Sequence, residues 1–218
     1  ESGTVLQDVV SYQPYGDDTV LFTRSTASKK NEVGIWQDKV TTVIQSNVDV
    51  AVKPELAYAR YDDHYYFVVA YANGKTVTIY REPLKKPILA KQLPFLTLEF
   101  DAPQKLKFSD SAQFFTVQNG NTMLTYDLED KLQYRVTLPF ELAPETMMTW
   151  ADSNHLQASA TDGTTHLFEY DGQNQQALVA TKPGTRLYFA PNYQHAYRYF
   201  DVESTTRLEA VSLVNGEQ

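Results

Sequence analysis

The sequence contains no cysteine, which excludes disulfide bonds, thiolate metal sites and thiol nucleophiles together. No Asn begins an Asn-x-Ser/Thr motif, so there is no acceptor site for N-glycosylation. No apolar run approaches the about 20 residues of a membrane-spanning helix. The first residues, Glu1-Ser-Gly-Thr4, also lack the charged and apolar regions of a signal peptide. These absences leave the cellular compartment undetermined.

Positive charge is scarce. The 218 residues include 19 Lys and Arg against 27 Asp and Glu, a net charge of -8. Binding to a phosphate backbone normally requires clustered Lys and Arg. Nucleic acid is therefore a poor candidate for a partner.

Strand-forming residues are abundant instead. Aromatic residues make up 13% of the chain, with fifteen Tyr and eleven Phe, and aromatic side chains favour pleated strands. Short apolar runs such as Tyr65 to Tyr71 and Thr76 to Tyr80 are separated by Gly, Asn and Asp, and no helical periodicity is sustained. We expect one all-β domain over residues 1–218.

Turn sequences recur at a regular interval. Asn73-Gly74, Asn119-Gly120 and Asp162-Gly163 each precede a strand-like run that ends in Tyr, and their glycines are 46 and 43 residues apart. A second pattern, an apolar residue, any residue, an aromatic residue, a small residue and a turn residue, runs out of phase with the first. It occurs, strictly or loosely, five times: at residues 10–14, 56–60, 106–110, 148–152 and 187–191.

A period near forty residues predicts a β-propeller. Each unit contains four short strands; in the fourth unit they are Thr146 to Trp150, His155 to Ala160, Thr164 to Asp171 and Gln176 to Ala180. Five four-stranded blades would protect the sheet edges of an all-β chain by radial repetition. The last unit supplies at most three strands, and Thr4 to Gln7 is a candidate for its missing one. A β-sandwich is the alternative architecture, although the period argues against it.

Several stretches in the second half resemble known repeats: Phe108-Ser-Asp110, Met148-Thr-Trp-Ala-Asp152, Phe168 to Gln176 and Leu187-Tyr-Phe-Ala-Pro191. They are similar to TolB-like and WD40-like propeller repeats. From about Lys105 to Val214 the chain resembles the C-terminal propeller region of PEGA-domain envelope proteins of Saccharibacteria-type bacteria. The resemblance implies an extracytoplasmic, non-enzymatic domain of a longer, membrane-anchored protein. It carries no functional residues with it.

Three carboxylates are candidates for a binding or catalytic site. Asp49, Glu99 and Asp101 lie near the predicted starts of inner strands, and two such groups could serve as acid and base of a glycosidase. The alternative is that they are solvated carboxylates at the blade entrances. The leading function is therefore non-catalytic binding or scaffolding, with a protein or glycan at one end of the ring. A carbohydrate-active enzyme and a self-assembling structural subunit are the two alternatives.

Metal and cofactor sites are not expected. Asp162 and Asp171 each precede Gly, which is typical of a hairpin turn with positive φ, and the pattern matches only part of a calcium loop. A two-residue turn at Asp162-Gly163 would place His155 and His166 about 13 Å apart, too far to share a zinc ion. We therefore expect the four histidines to be isolated, and the aromatic clusters at residues 65–67 and 197–200 to be blade core.

Overall fold

The computed structural model describes residues 6–85, 93–143, 146–182 and 184–213. All regular structure in these ranges is β-strand, arranged in five antiparallel sheets. None of the described residues forms a helix that is long and apolar enough to cross a membrane. The chain forms two compact units, Glu1–Leu106 and Lys107–Gln218. The prediction of a single domain stays a prediction.

The first unit contains two four-stranded sheets in which each strand pairs with the next one in the chain. Sheet 1 is formed by β1 (Val9–Tyr15), β2 (Thr19–Ser25), β3 (Asn31–Gln37) and β4 (Val40–Val48). Sheet 2 is formed by β5 (Pro54–Tyr61), β6 (His64–Tyr71), β7 (Thr76–Arg81) and β8 (Leu96–Glu99).

The core of the first unit lies between its two sheets. Leu21 and Ile35 of sheet 1 pack in one cluster with Phe67 and Val69 of sheet 2. The residues on the opposite face of β6, Val68 and Ala70, are also fully buried. A strand that is apolar on both faces is typical of a sheet covered on both sides. The expectation that residues 65–67 belong to the core is confirmed for Tyr66 and Phe67.

The second unit contains three sheets, and its first strand straddles the unit boundary by two residues. Sheet 3 is formed by β9 (Lys105–Phe108), β10 (Phe114–Asn119), β11 (Thr122–Asp127) and β12 (Gln133–Thr137). Sheet 4 is formed by β13 (Thr149–Trp150), β14 (His155–Ser159), β15 (Thr164–Glu169) and β16 (Gln176–Ala180). Sheet 5 is formed by β17 (Tyr188–Phe189), β18 (His195–Val202) and β19 (Thr205–Ser212).

Sheets 3 and 4 share the core of the second unit. Phe114 and Met123 of sheet 3 pack with Trp150, Leu156 and Phe168 of sheet 4. The rings of Phe114 and Trp150 are stacked with centroids 6.0 Å apart. Burial of several large side chains at about 1.5–3 kcal/mol each makes this the main stabilising contact between the two sheets.

The repeated five-residue pattern predicts the first strand of every sheet. Its five occurrences fall on β1, β5, β9, β13 and β17, and the three Gly-containing turns fall between the second and third strands of sheets 2, 3 and 4. The fifth unit has three strands within the described residues, as expected. Thr4 and Val5, the start of the strand proposed to complete that sheet, lie outside the described residues.

The predicted register of the Asp162-Gly163 hairpin is wrong by one residue. A two-residue turn at Asp162-Gly163 would pair His155 with Tyr170 and His166 with Ser159. In the structure His155 lies opposite Glu169 and His166 lies opposite Ala158. The loop has three residues instead of two, because Ala160 and Thr164 still pair: the Ala160 N–H donates to the Thr164 carbonyl at 2.8 Å. Gly163 takes the left-handed conformation, with φ of 86°, that such three-residue loops require.

Two buried glutamines connect neighbouring sheets of the second unit. Gln157 of β14 donates from Nε2 to the Leu187 carbonyl at 3.0 Å and accepts the Leu187 N–H at 2.8 Å. Gln118 of β10 accepts the Met148 N–H at 2.9 Å in the same way. Leu187 and Met148 each directly precede a first strand that is only two residues long. A side-chain amide, which offers both a donor and an acceptor, therefore holds the start of each short strand.

Replacement of Gln157 by Leu should lower the free energy of unfolding by about 2–4 kcal/mol, because the buried N–H and C=O of Leu187 both lose their partner. Chemical denaturation measures the effect. Gln176→Leu, at an exposed position of the same sheet, is the matched control and should change the stability by less than about 0.5 kcal/mol. Equal effects of the two substitutions would contradict the role assigned to Gln157.

Candidate functional site

The three predicted carboxylates lie on the first unit and are exposed. Asp49 follows β4, and its Oδ1 accepts the Ala51 N–H at 3.0 Å. Glu99 is the last residue of β8, the fourth strand of sheet 2 and not a first strand, and Asp101 follows after the buried Phe100. Glu99 thus lies at the end of a fourth strand, and Asp49 and Asp101 lie in the connections that follow fourth strands. Their role in binding or catalysis stays a prediction.

The histidines are not all isolated, contrary to expectation. His155 Nδ1 lies 2.8 Å from Asp152 Oδ2, and His64 Nδ1 lies 2.9 Å from Glu82 Oε1. His166 instead stacks on Phe140, with ring centroids 3.9 Å apart. His166 lies opposite Ala158, which is three positions after His155 on β14. Because successive residues of a strand alternate between its two faces, the two imidazoles project from opposite faces of sheet 4.

The two Asp-Gly turns of sheet 4 use their carboxylates locally. Asp162 Oδ1 accepts the Thr164 N–H at 2.8 Å, and Asp171 Oδ1 accepts the Gln173 N–H at 2.9 Å. These are the side-chain-to-backbone bonds of an Asx turn. A search of the described residues finds no group of three His, Asp or Glu side chains that could hold a metal ion.

The first strands of sheets 3, 4 and 5 line one cavity, which we call the first-strand cavity. Its volume is about 270 Å³. It is lined by Lys107, Asp110, Trp150, Ala151, Gln157, Arg186, Leu187, Tyr188 and Phe189. Three copies of the repeated pattern supply most of these residues, because equivalent positions of successive units meet on the same side of the second unit.

A hydrogen-bonded cluster borders this cavity at the loop between β13 and β14. Asp152 is its centre: Oδ1 accepts the N–H groups of Asn154 and His155 at 2.7 and 2.8 Å. Its Oδ2 accepts the hydroxyl of Tyr193, from the equivalent loop of sheet 5, at 2.6 Å. The Tyr193 ring lies 5.8 Å from that of Phe189, which lines the cavity. The cluster therefore ties two neighbouring sheets together at the cavity edge.

The ionisation of this cluster follows from its hydrogen bonds. Burial alone would raise the pKa of Asp152, but the Tyr193 hydroxyl and the two backbone N–H groups outweigh it, and the pKa is lowered. The hydrogen bond to Asp152 raises the pKa of Tyr193 to about 12, with smaller contributions from burial and from the charges of Asp152 and Asp110. Near neutral pH the site therefore holds a carboxylate and a neutral phenol.

Two cations, Lys107 and Arg186, line the first-strand cavity together with the carboxylate of Asp110. Within the described residues neither Lys107 nor Arg186 forms an ion pair. The Arg186 guanidinium lies over the Tyr188 ring, 4.8 Å from its centroid, which leaves its N–H groups available while the cation is stabilised by the ring.

Exposed aromatic rings lie on sheet 5 and in the loop between β17 and β18. Tyr188 and Tyr193 are 45% and 46% exposed. Tyr197 and Tyr199 of β18 are 43% and 38% exposed, so the expectation that residues 197–200 form blade core is wrong for these two. Tyr188, Tyr197 and Tyr199 lie on one face of sheet 5, whereas Trp150 is buried.

The sequence signal for this site was the repeated pattern itself. The last position of the pattern is Asp110 in one unit and Asp152 in the next. The repeat alone therefore predicts two carboxylates in equivalent loops. The contribution of Tyr193 has no such signal, because it depends on a left-handed backbone with φ of 55° in the loop between β17 and β18.

Comparison with known proteins identifies the fold. No family profile and no curated protein matches the sequence. Solved structures similar to this chain include the C-terminal WD40 domain of Sif2, with a TM-score of 0.52 and 12% identity over 88% of this chain and 51% of that one. They also include an oligogalacturonate lyase in complex with manganese, with a TM-score of 0.58 and 11% identity over 98% of this chain and 69% of that one. The computationally designed protein Ika8 is similar with a TM-score of 0.55 and 15% identity over 93% of this chain and 58% of that one. The chain thus spans about half to two thirds of their length. This likeness confirms the predicted all-β propeller fold, with five blade-like sheets.

Titration of Tyr193 tests the cluster. Replacement of Asp152 by Asn should lower the Tyr193 pKa from about 12 toward about 10, because the charge that disfavours the phenolate is lost. Tyrosine ring NMR, with Tyr193→Phe to assign the resonance, measures this shift. Since the folded-state pKa lies above the unfolded one, the bond contributes stability below about pH 10 that is lost as the pH rises through about 12. An unchanged Tyr193 pKa in Asp152→Asn would contradict the hydrogen bond.

Proposed function

We propose that this chain is a non-catalytic binding or scaffolding domain whose ligand, a protein or a glycan, occupies the first-strand cavity of the second unit. The observation that carries the proposal is the meeting of three successive first strands around unpaired cations and exposed rings. Pockets that combine aromatic walls with a few convergent polar groups are typical ligand sites.

The state of the ionisable groups favours binding over catalysis. Asp152 accepts four hydrogen bonds or close polar contacts, from Tyr193, Asn154 and the backbone and ring of His155. A carboxylate with a lowered pKa and a phenol with a raised pKa are both poorly matched to proton transfer near pH 7, where a general acid or base works best with a pKa close to the operating pH. The cluster is suited to hold a loop in place and to present fixed acceptors.

We further propose an extracytoplasmic location in a bacterial envelope, with a membrane anchor outside this sequence. The support is the resemblance of residues 105–214 to the propeller region of PEGA-domain envelope proteins. WD40 propellers such as that of Sif2 share the fold, and protein partners are common for that class of domain. Fractionation of the native host with an antibody to this domain tests the location: recovery in the cytoplasmic fraction would reject it.

A second candidate is a carbohydrate-active enzyme that uses Asp49, Glu99 and Asp101. The likeness in fold to an oligogalacturonate lyase, over 98% of this chain, is the observation that favours it. Turnover of any member of a panel of α- and β-linked glycans, abolished in the double variant Asp49→Asn with Glu99→Gln, would support this candidate. Absence of turnover in the wild type would reject it for that panel.

Peptide and glycan arrays, followed by calorimetry on the strongest hit, test the binding function. Tyr188→Ala should weaken binding tenfold or more, because Tyr188 is an exposed ring in the wall of the cavity. Tyr12→Ala, which removes a 72% exposed ring of the first unit, is the matched control and should leave the affinity unchanged. Equal losses in both variants, or no hit on either array, would overturn the proposal. Concentration-dependent sedimentation would then favour the self-assembling subunit.

A further inference from the structure

A second cavity of the second unit, which we call the tyrosine cavity, lies beside the first-strand cavity. Its volume is about 280 Å³. It is lined by Thr146, Met147, Thr149, Gly184, Thr185, Arg186, Tyr188 and Tyr199. Arg186 and Tyr188 line both cavities, so they form the wall between them. The volume is at the small end for ligand pockets, and suits one ring-sized group of a longer ligand.

Arg186 is the only charged side chain among the described residues that line the tyrosine cavity. The Arg186 guanidinium forms no ion pair within the described residues, and the buried hydroxyls of Thr146 and Thr149 have no hydrogen-bond partner there. No acidic side chain is among the described residues that line the cavity. This is unusual for the residues 107–218, which contain fourteen Asp and Glu against seven Lys and Arg. A guanidinium without an ion pair or an acidic neighbour among the described residues favours an anionic ligand.

The walls of the tyrosine cavity are apolar and partly exposed. Tyr188, Tyr199 and Met147 are 45%, 38% and 39% exposed. Tyrosine rings offer rigid contact area and methionine adapts to the shape of its partner. A sugar ring, whose C–H groups form a flat apolar face, can pack on such walls while its substituents reach polar groups at the edge.

Resting on the proposed function, we infer that the tyrosine cavity binds the carboxylate-bearing sugar, a uronic acid, of an acidic glycan. The carboxylate pairs with the Arg186 guanidinium, which is positioned by its stacking on Tyr188. The pyranose ring packs between Tyr188, Tyr199 and Met147, and its neighbour in the glycan extends toward the first-strand cavity, where Lys107 supplies a second cation. An acidic peptide would supply the carboxylate but no flat apolar ring attached to it.

Calorimetry with a matched pair of probes tests the inference: glucuronan oligomers, and the same oligomers with their carboxyl groups reduced to give neutral glucose oligomers. The wild type should bind the charged oligomer tenfold or more tightly than the neutral one. Arg186→Gln should reduce the affinity for the charged oligomer about tenfold or more, because a charge-assisted hydrogen bond is lost, and should remove most of the preference for it. Arg207→Gln, an exposed cation of β19 outside both cavities, is the control with the same change of net charge, and should have no effect.

The outcomes separate this inference from the proposed function. Equal binding of charged and neutral oligomers, or equal losses in Arg186→Gln and Arg207→Gln, would overturn the uronic acid assignment and leave the binding function intact. Tighter binding of poly-glutamate peptides than of glucuronan, reduced in Arg186→Gln, would also overturn it in favour of an acidic protein. If neither the charged oligomer nor the peptide binds, the uronic acid assignment is wrong. The peptide and glycan arrays described above then test the binding function independently.

Discussion

The positions of the short first strands of the second unit depend on buried glutamine amides, above all that of Gln157. Strand β17, which Gln157 holds through both backbone groups of Leu187, pairs with β18 at only two positions. Two residue pairs fix the register of a strand only weakly, because a slip by one residue would break few backbone hydrogen bonds. The Gln157 amide supplies the missing constraint from the preceding sheet, and Gln118 does the same at Met148. Both glutamines are almost completely buried, so neither can exchange its partner for water without cost.

The proposed binding surface depends on this arrangement. When the start of a first strand is held, the residues that follow keep a fixed position. Trp150 of β13 and Tyr188 of β17 are such residues, and both line the first-strand cavity. At the other end of these strands Asp152 joins two successive loops through Tyr193. The site is therefore braced at both ends by buried or half-buried polar contacts, while its rings and cations remain open to a ligand. Such preorganisation reduces the conformational entropy that binding must overcome.

Much of the fold was predictable from the sequence because it is repeated. The five-residue pattern marks every first strand, since its apolar residue and its aromatic residue are two positions apart and therefore lie on the same face of a strand. The hairpin register was not predictable from Asp162-Gly163 alone: the same dipeptide fits a two-residue turn and a three-residue loop, and the backbone bonds of Ala160 decide between them. The candidate site was even less predictable from the sequence. Arg186 lies just outside the pattern, and Tyr193 reaches Asp152 across 41 residues of sequence, a contact that no local rule specifies.

Native-state hydrogen exchange of the Leu187 and Met148 amides measures the central constraint directly. If glutamine side chains hold the first strands, both amides should be protected to a degree comparable with the buried strand amide of Leu156, although no neighbouring strand accepts their hydrogen bonds. Protection of Leu187 should fall sharply in Gln157→Leu. Exchange of the wild-type Leu187 amide at the rate of exposed loop amides would contradict the account, because the first strands, and the cavities they line, would then lack a fixed position.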